Sequence, residues 1–272
     1  MITPAGTEAH RIRLTLHYDG GGFAGWQVQP GERTVQAELE AALARLTNGP
    51  ARVIAAGRTD RGVHATGQVV GVTVPRRWEP GALRRALNAI LPHDIWVADA
   101  GAVNDDFHAR YDAVARGYVY RLGTTVVARS PFLRRWCWPL AQPAPLAALN
   151  AAAALVLGDH SFRAFAKAGQ PQRGERCSVH RSEWRPWLAG ATYHVVANRF
   201  LHHMVRYLVG TMVDIARARR PLDDMSALLG GAADVVTSPP APPEGLYLNR
   251  VYYEGEDPKI EDRIDDILSD QR

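Results

Sequence analysis

Polar and apolar residues alternate cleanly from Arg11 to Tyr18, with Ile12, Leu14, Leu16 and Tyr18 on one side and Arg13, Thr15 and His17 on the other. A period of two predicts a half-buried strand. Gly20-Gly21-Gly22 then turns the chain. Thr34 is placed to cap a helix that carries Val35, Leu39, Ala42, Leu43 and Leu46 on one stripe. The short uncharged run Val53-Ile54-Ala55-Ala56 and the run from Gly67 to Val74 predict two strands joined by a loop. A second helix is predicted from about Pro80 to Ile90, with Leu83, Leu87 and Ile90 inward, and a strand from Asp94 to Val103. The order β-α-β-β-α-β is the split arrangement of ferredoxin-like and RNA-recognition folds.

The second half echoes that order with longer insertions, without a sequence repeat. Tyr118, Tyr120 and Leu122 alternate along a strand, and Pro145 to Leu157 is an Ala-rich helix. Cys177 to Trp187 and Ala191 to Asn198 read as antiparallel strands. From His203 to Ala218 a helix carries Val205, Leu208, Val209, Met212, Val213 and Ala216 on one face. Leu222 to Leu229 adds a short helix and Leu246 to Tyr253 a last strand. Arg163 to Arg176, rich in Gly, Gln, Pro and Arg, predicts a mobile loop. Thr237 to Glu244 holds four prolines and is excluded from helix and central strand. The predicted class is α+β, with a flexible stretch 1–10, subdomains 11–106 and 107–253, and an acidic tail 254–272.

Composition changes this picture at three points. With 272 residues and 46% hydrophobic content, the chain is large enough for a sizeable core, and it has no run of 18 apolar residues to span a membrane. Met1 to His10 lacks the apolar core of a secretory signal. Cys137 and Cys177 are too few and too far apart for a zinc ribbon or a disulfide framework, and read as reduced thiols of a cytoplasmic protein. The tail from Glu254 holds eight acids against three bases, so the first 253 residues carry a net +9 although the whole chain is only +4. Of the 32 basic residues 30 are Arg, whose planar fork donates bidentate bonds to phosphate. A basic body of this kind points to a polyanionic partner.

The candidate chemistry gathers in Gly57-Arg58-Thr59-Asp60-Arg61-Gly62-Val63-His64-Ala65, which sets one acid between two arginines on a loop between strands. Rigid elements displaying a loop-tip carboxylate are a common way to present a catalytic group. Arginines this close keep a carboxylate ionised when water is excluded. The same residues also make ordinary turn chemistry, with Asp accepting from backbone and Gly62 tolerating positive φ. His202 and His203 invite a metal reading, but adjacent histidines diverge on a helix and no HExxH is present. Asp19 reads as a turn former or a partner for an active-site arginine, and Trp26 as core.

The nine-residue motif resembles the signature of the tRNA pseudouridine synthase A family. Further segments match in order: Tyr18-Asp19-Gly20 with Gly25-Trp26-Gln27, Phe107-His108-Ala109-Arg110, Tyr118-Val119-Tyr120, Ser161-Phe162, Phe200 to Arg206, and Glu244 to Leu248. Together they run from about residue 11 to about residue 253. The resemblance implies two ferredoxin-like halves whose antiparallel sheets join into one, helices on one side, with a basic cleft between the halves. It implies an enzyme that isomerises uridine to pseudouridine at positions 38 to 40 of the tRNA anticodon arm, acting as a homodimer. Asp60 would be the catalytic aspartate and Arg206 its cationic partner. Tyr118 would stack on the flipped base, and Arg58 would enter the RNA. Phe107, His108, Ala109, Arg110 and Tyr111 would lie against RNA, with Lys167, Gln170 and Gln172 as further contacts. No cofactor and no metal are expected, since the isomerisation needs no redox change and the chain has no nucleotide loop, zinc motif or flavin fingerprint. Two other classes compete. A non-catalytic RNA-binding module of paired recognition-type sheets would need the basic surface but no acting aspartate. A metal-dependent nuclease would draw on Asp19, Asp60 and the histidines.

Overall fold

The computed structural model describes residues 9–167 and 174–258; Gln170, Gln172, the first eight residues and the acidic tail from 259 lie outside the described residues. The chain divides into two units, Met1–Val114 and Ala115–Arg272. The class is α+β with antiparallel strands and five α-helices among the described residues.

In the first unit the alternation becomes β1 (Ala9–Tyr18), followed by α1 (Val35–Thr47), β2 (Ile54–Ala55), β3 (His64–Pro75), α2 (Pro80–Ile90) and β4 (Ile95–Ala102). The strands lie in the order β4-β1-β3-β2, each pair antiparallel. Ile12, Leu14 and Leu16 are fully buried, opposite Val72, Val70 and Gln68 of β3, while Arg13, Thr15 and His17 are half-buried on the other face. A register shift between Leu16 and Tyr18 ends this regular pairing just before the Gly20–Gly22 turn. Thr34 caps α1 as expected, accepting from the Ala37 N–H at 3.4 Å, and Asn48 ends it in a left-handed conformation. Along α2, Leu83 and Leu87 are buried but Ile90 only half so.

The second unit holds β5 (Ala115–Gly123), α3 (Leu146–Ala154), β6 (Gly158–Ser161), β7 (Arg176–Trp187), β8 (Gly190–Ala197), α4 (Met204–Ala216), α5 (Asp223–Leu229) and β9 (Leu246–Tyr252). Its strands follow the order β9-β5-β8-β7-β6, again antiparallel. The stripe expected on α4 is buried, and Gly210, Thr211 and Ile215 are buried with it. The cause is the proline-rich segment, which lies along α4: Ala241 N–H donates to Arg206 O at 2.9 Å and Ser238 N–H to Thr211 Oγ1 at 3.3 Å. The expectation of a mobile loop from Arg163 needs correction at its N-terminal end. Phe162 and Phe165 are fully buried around a single 3-10 turn, and Lys167 N–H donates to His202 O at 3.1 Å. Two aromatics hidden in a polar-looking stretch anchor it. No helix among the described residues is long and apolar enough to cross a membrane. Both cysteines are free and buried, and burial pushes each thiol up to about 11.

Candidate active site

The Asp60 loop leaves β2 and returns into β3, and the first unit holds it by its backbone. Gln68, a buried polar residue in the largely apolar run of β3, donates from Nε2 to Gly57 O at 2.7 Å. The Trp26 N–H donates to Thr59 O at 3.0 Å, and Val63 N–H closes the turn onto Asp60 O at 3.1 Å. The Thr59 and Tyr18 hydroxyls pair at 2.8 Å, both side chains buried. Two glycines are required by this packing. Gly25 sits at φ +107, and a Cβ there would stand 2.7 Å from Thr59 O; a Cβ on Gly20 would collide with Val63 O. The turn is therefore seated directly against the Gly20–Gln27 segment.

That segment is itself anchored. Arg33 donates twice to the Asp94 carboxylate, at 2.7 and 2.9 Å, and lies over the Phe23 ring at 4.1 Å. The hydrogen bonds to Asp94 raise the guanidinium above its already high ordinary value. Asp19 takes the turn-former role, accepting from Gly21 N–H at 2.9 Å. His64 is buried, with its Nδ1 3.1 Å from the Gly20 backbone N and 3.2 Å from an Asp19 carboxylate oxygen.

On this frame Asp60 is half-buried, while Arg58 and Arg61 are exposed. The expectation that both arginines serve the carboxylate is corrected by Arg61, which reaches to Glu32 at 2.9 Å instead. Among the described residues, Arg58 makes no hydrogen bond or ion pair. The sequence did not single out Tyr18, Thr59, His64 or Gln68 as loop supports. The one available signal was Gln68, polar between apolar neighbours.

The Phe107–Tyr111 segment is a turn in the first unit, ahead of β5. Arg11 Nε donates to Phe107 O at 3.1 Å. The His108 Nδ1 accepts from both Arg110 and Tyr111 N–H groups, at 3.2 and 3.1 Å, and its ring stacks on Tyr111 at 4.1 Å. Arg110 and Tyr111 are presented outward, Tyr111 at 61% exposure. Ala109, by contrast, is fully buried, so it holds the turn down and offers no side chain to a ligand.

In the second unit Tyr118 stands apart from its strand neighbours. Tyr120 and Leu122 are fully buried, whereas Tyr118 is half-buried with its ring edge-on to Phe200 at 5.0 Å. His203 caps α4 in a left-handed conformation at φ 65, an uncommon state for a residue with a side chain. Its ring lies 4.2 Å from that of His202. Arg206, in the first turn of α4, is half-buried and donates from Nε to Ala241 O at 2.7 Å. Burial raises the Tyr120 phenol well above its ordinary value, and the nearby Arg206 charge opposes that rise. Through the Lys167–His202 backbone bond, the Lys167 backbone meets the start of the same helix.

Comparison with known proteins identifies the family. A family model described as tRNA pseudouridine synthase matches residues 15–112 and 152–254. A tRNA pseudouridine synthase A of Moorella thermoacetica is 42% identical over 244 residues, spanning 89% of this chain and 99% of that protein. One from Geobacillus kaustophilus is 40% identical, spanning 90% of this chain and 95% of its own length. One from Nitrobacter winogradskyi is 38% identical over 93% of this chain and 99% of its own length. Matches of this identity over nearly full length on both sides leave one conclusion: the chain belongs to the tRNA pseudouridine synthase A family.

Proposed function

We propose that this enzyme isomerises uridines 38, 39 and 40 in the anticodon arm of tRNA, with Asp60 as the reacting carboxylate. The isomerase class follows from the family: uridine in tRNA becomes pseudouridine. The bond from C1′ to N1 breaks and the bond from C1′ to C5 forms. The C5 proton is lost, N1 gains one, and no electrons are exchanged. A single anionic group that meets the sugar or base can carry this.

The observation that carries the reading is the loop around Asp60. Its backbone is held at Gly57 and Thr59, yet its carboxylate is not sealed in the core. Such a group is preorganised and reachable. Arg206 is the cationic partner of the reacting carboxylate in this reading. The target base is extruded from its stack, at a cost of a few kcal/mol, about the range that stacking on Tyr118 returns. Arg58, exposed and uncommitted among the described residues, occupies the gap left in the RNA. Arg110, Tyr111 and the Phe107–His108 turn hold the phosphate backbone and neighbouring bases, and Lys167 adds a further contact.

A homodimer is supported by the exposed apolar side chains Val126, Val127, Phe132 and Leu188, Phe132 being 85% exposed. Sedimentation at micromolar concentration tests it. The enzyme works in the cytoplasm, where its tRNA is. The central test is tritium release from tRNA labelled at uridine C5, with wild type and Asp60→Asn side by side. Wild type releases tritium; Asp60→Asn binds tRNA and releases none. Turnover by Asp60→Asn at the wild-type rate would end the assignment.

A further inference from the structure

Tyr18 and Thr59 share a hydrogen bond that the chemistry above does not use. Their hydroxyl oxygens are 2.8 Å apart and both side chains are buried, at 5% and 6% exposure. Thr59 is the residue immediately before Asp60. It is held at two atoms: Oγ1 by Tyr18, and the carbonyl by Trp26 N–H at 3.0 Å. Gly25 closes the third side, since any side chain there would stand 2.7 Å from Thr59 O. On the other side of Asp60, Gly62 at φ 80 and the Val63 N–H to Asp60 O bond complete the turn. The backbone on both flanks of the carboxylate is thus set by the first unit's own strand and loop.

Tyr18, which reaches Thr59, lies where β1 shifts register against β3, between Leu16 and Tyr18. Such irregularities near sites re-aim a side chain. The ring packs beside Trp26, with centroids 6.2 Å apart, so its packing does not depend on the hydroxyl. The hydroxyl pairs separately, with the residue immediately before Asp60. We propose that Tyr18 is a positioning residue for the isomerisation. Its hydroxyl holds the Thr59 side chain and through it the aim of the Asp60 carboxylate. This rests on the reading of Asp60 as the reacting group.

The test uses the full-length enzyme and 5-tritiated tRNA, with Tyr18→Phe, Thr59→Val, the double variant, Thr59→Ser and Asp60→Asn. Misaiming a reacting group by about 1 Å costs up to a hundredfold. Tyr18→Phe and Thr59→Val are each expected to lower kcat by roughly ten- to a hundredfold, with KM unchanged. The double variant is expected to be no worse than either single one, because all three break the same bond. Thr59→Ser keeps the hydroxyl and is expected to keep kcat.

Wild-type kcat in Tyr18→Phe overturns the inference. So does a raised KM at constant kcat, or losses that multiply in the double variant. If Tyr18→Phe does not fold, the pair Thr59→Val and Thr59→Ser decides the matter, since only a hydroxyl-dependent aim separates them in kcat at equal melting temperature. Asp60→Asn keeps the two questions apart. Activity there removes the reading of Asp60, whereas an inactive Asp60→Asn beside a fully active Tyr18→Phe removes only the role of Tyr18.

Discussion

Single residues in this chain carry consequences that their neighbours do not. His17 is an example. It sits on the polar face of β1 with its ring edge-on to Trp96 at 5.1 Å, and burial holds its pKa below the ordinary 6.5. The unfolded chain therefore takes up the proton first as pH falls. Above 6.5 both states are neutral and His17 costs nothing. Below it, protonation favours the unfolded chain, and stability is lost until the folded imidazole titrates as well. His17→Phe, which keeps a ring against Trp96, is expected to lose less stability than wild type between pH 7.5 and 5.5, read as urea midpoints. Equal losses would show that the imidazole is not the group responsible. At this scale the site was partly legible. Asp60, Arg58 and Tyr118 stand out through motif and resemblance. Tyr18 and Thr59 lie inside the matching segments, but their pairing and the Gln68 bond to Gly57 did not stand out, because a buried hydroxyl pair or a side chain bonded to a distant carbonyl leaves no periodicity in sequence. Ala109 shows the converse, a residue inside a recognised segment that only packs.

Elements repeat a device that no sequence comparison of the two halves reveals. Asn88 of α2 donates to Val97 O at 2.9 Å and accepts from Val97 N–H at 2.8 Å, so its amide pairs with β4 as another strand would. Asn150 of α3 does the same to Trp184 of β7, at 2.9 and 2.8 Å. In each unit a helix thus satisfies the outward backbone groups of a strand that, among the described residues, has one strand neighbour at that point, β1 beside Val97 and β8 beside Trp184. Open strand edges are liabilities, and covering them with a helix is a recurrent remedy. Asn88→Ala and Asn150→Ala each strand a backbone donor and acceptor in a partly buried place. Each is expected to lower unfolding stability by about 1–3 kcal/mol with an unchanged urea m-value. A loss under about 0.5 kcal/mol in both would mean water replaces the amide freely. The helices themselves were legible: Thr34 caps α1, and α2 spans Pro80–Ile90. The short β6 was not, since four residues reading Gly-Asp-His-Ser carry no apolar alternation and owe their form to pairing with β7. The burial of α4 nearly all round was equally hidden, because it depends on a proline-rich segment returning from more than twenty residues downstream.

At the scale of the molecule the decisive quantity is charge. The first 253 residues carry a net +9, almost all of it on arginine. Each phosphate that a guanidinium neutralises releases condensed counterions, so the logarithm of tRNA affinity falls linearly with the logarithm of salt concentration. The slope counts contacts, which separates the roles proposed for individual arginines. Arg110 is exposed beside Tyr111 and meets phosphate in the proposed complex; Arg58 stands on the Asp60 loop and occupies the space left by the base. Arg110→Ala is expected to weaken binding to every substrate tRNA alike and to reduce the salt slope by about one, while kcat at saturating tRNA is retained. Arg58→Ala is expected to lower kcat as well, since losing the residue that holds the extruded state disfavours the reactive geometry itself. Filter binding between 50 and 200 mM salt, paired with single-turnover tritium release, measures both quantities on the same preparations. An unchanged slope in Arg110→Ala would take that residue off the RNA. A loss confined to KM in Arg58→Ala would make it a docking contact like the others, and the task of holding the flipped uridine would pass to Tyr118 alone.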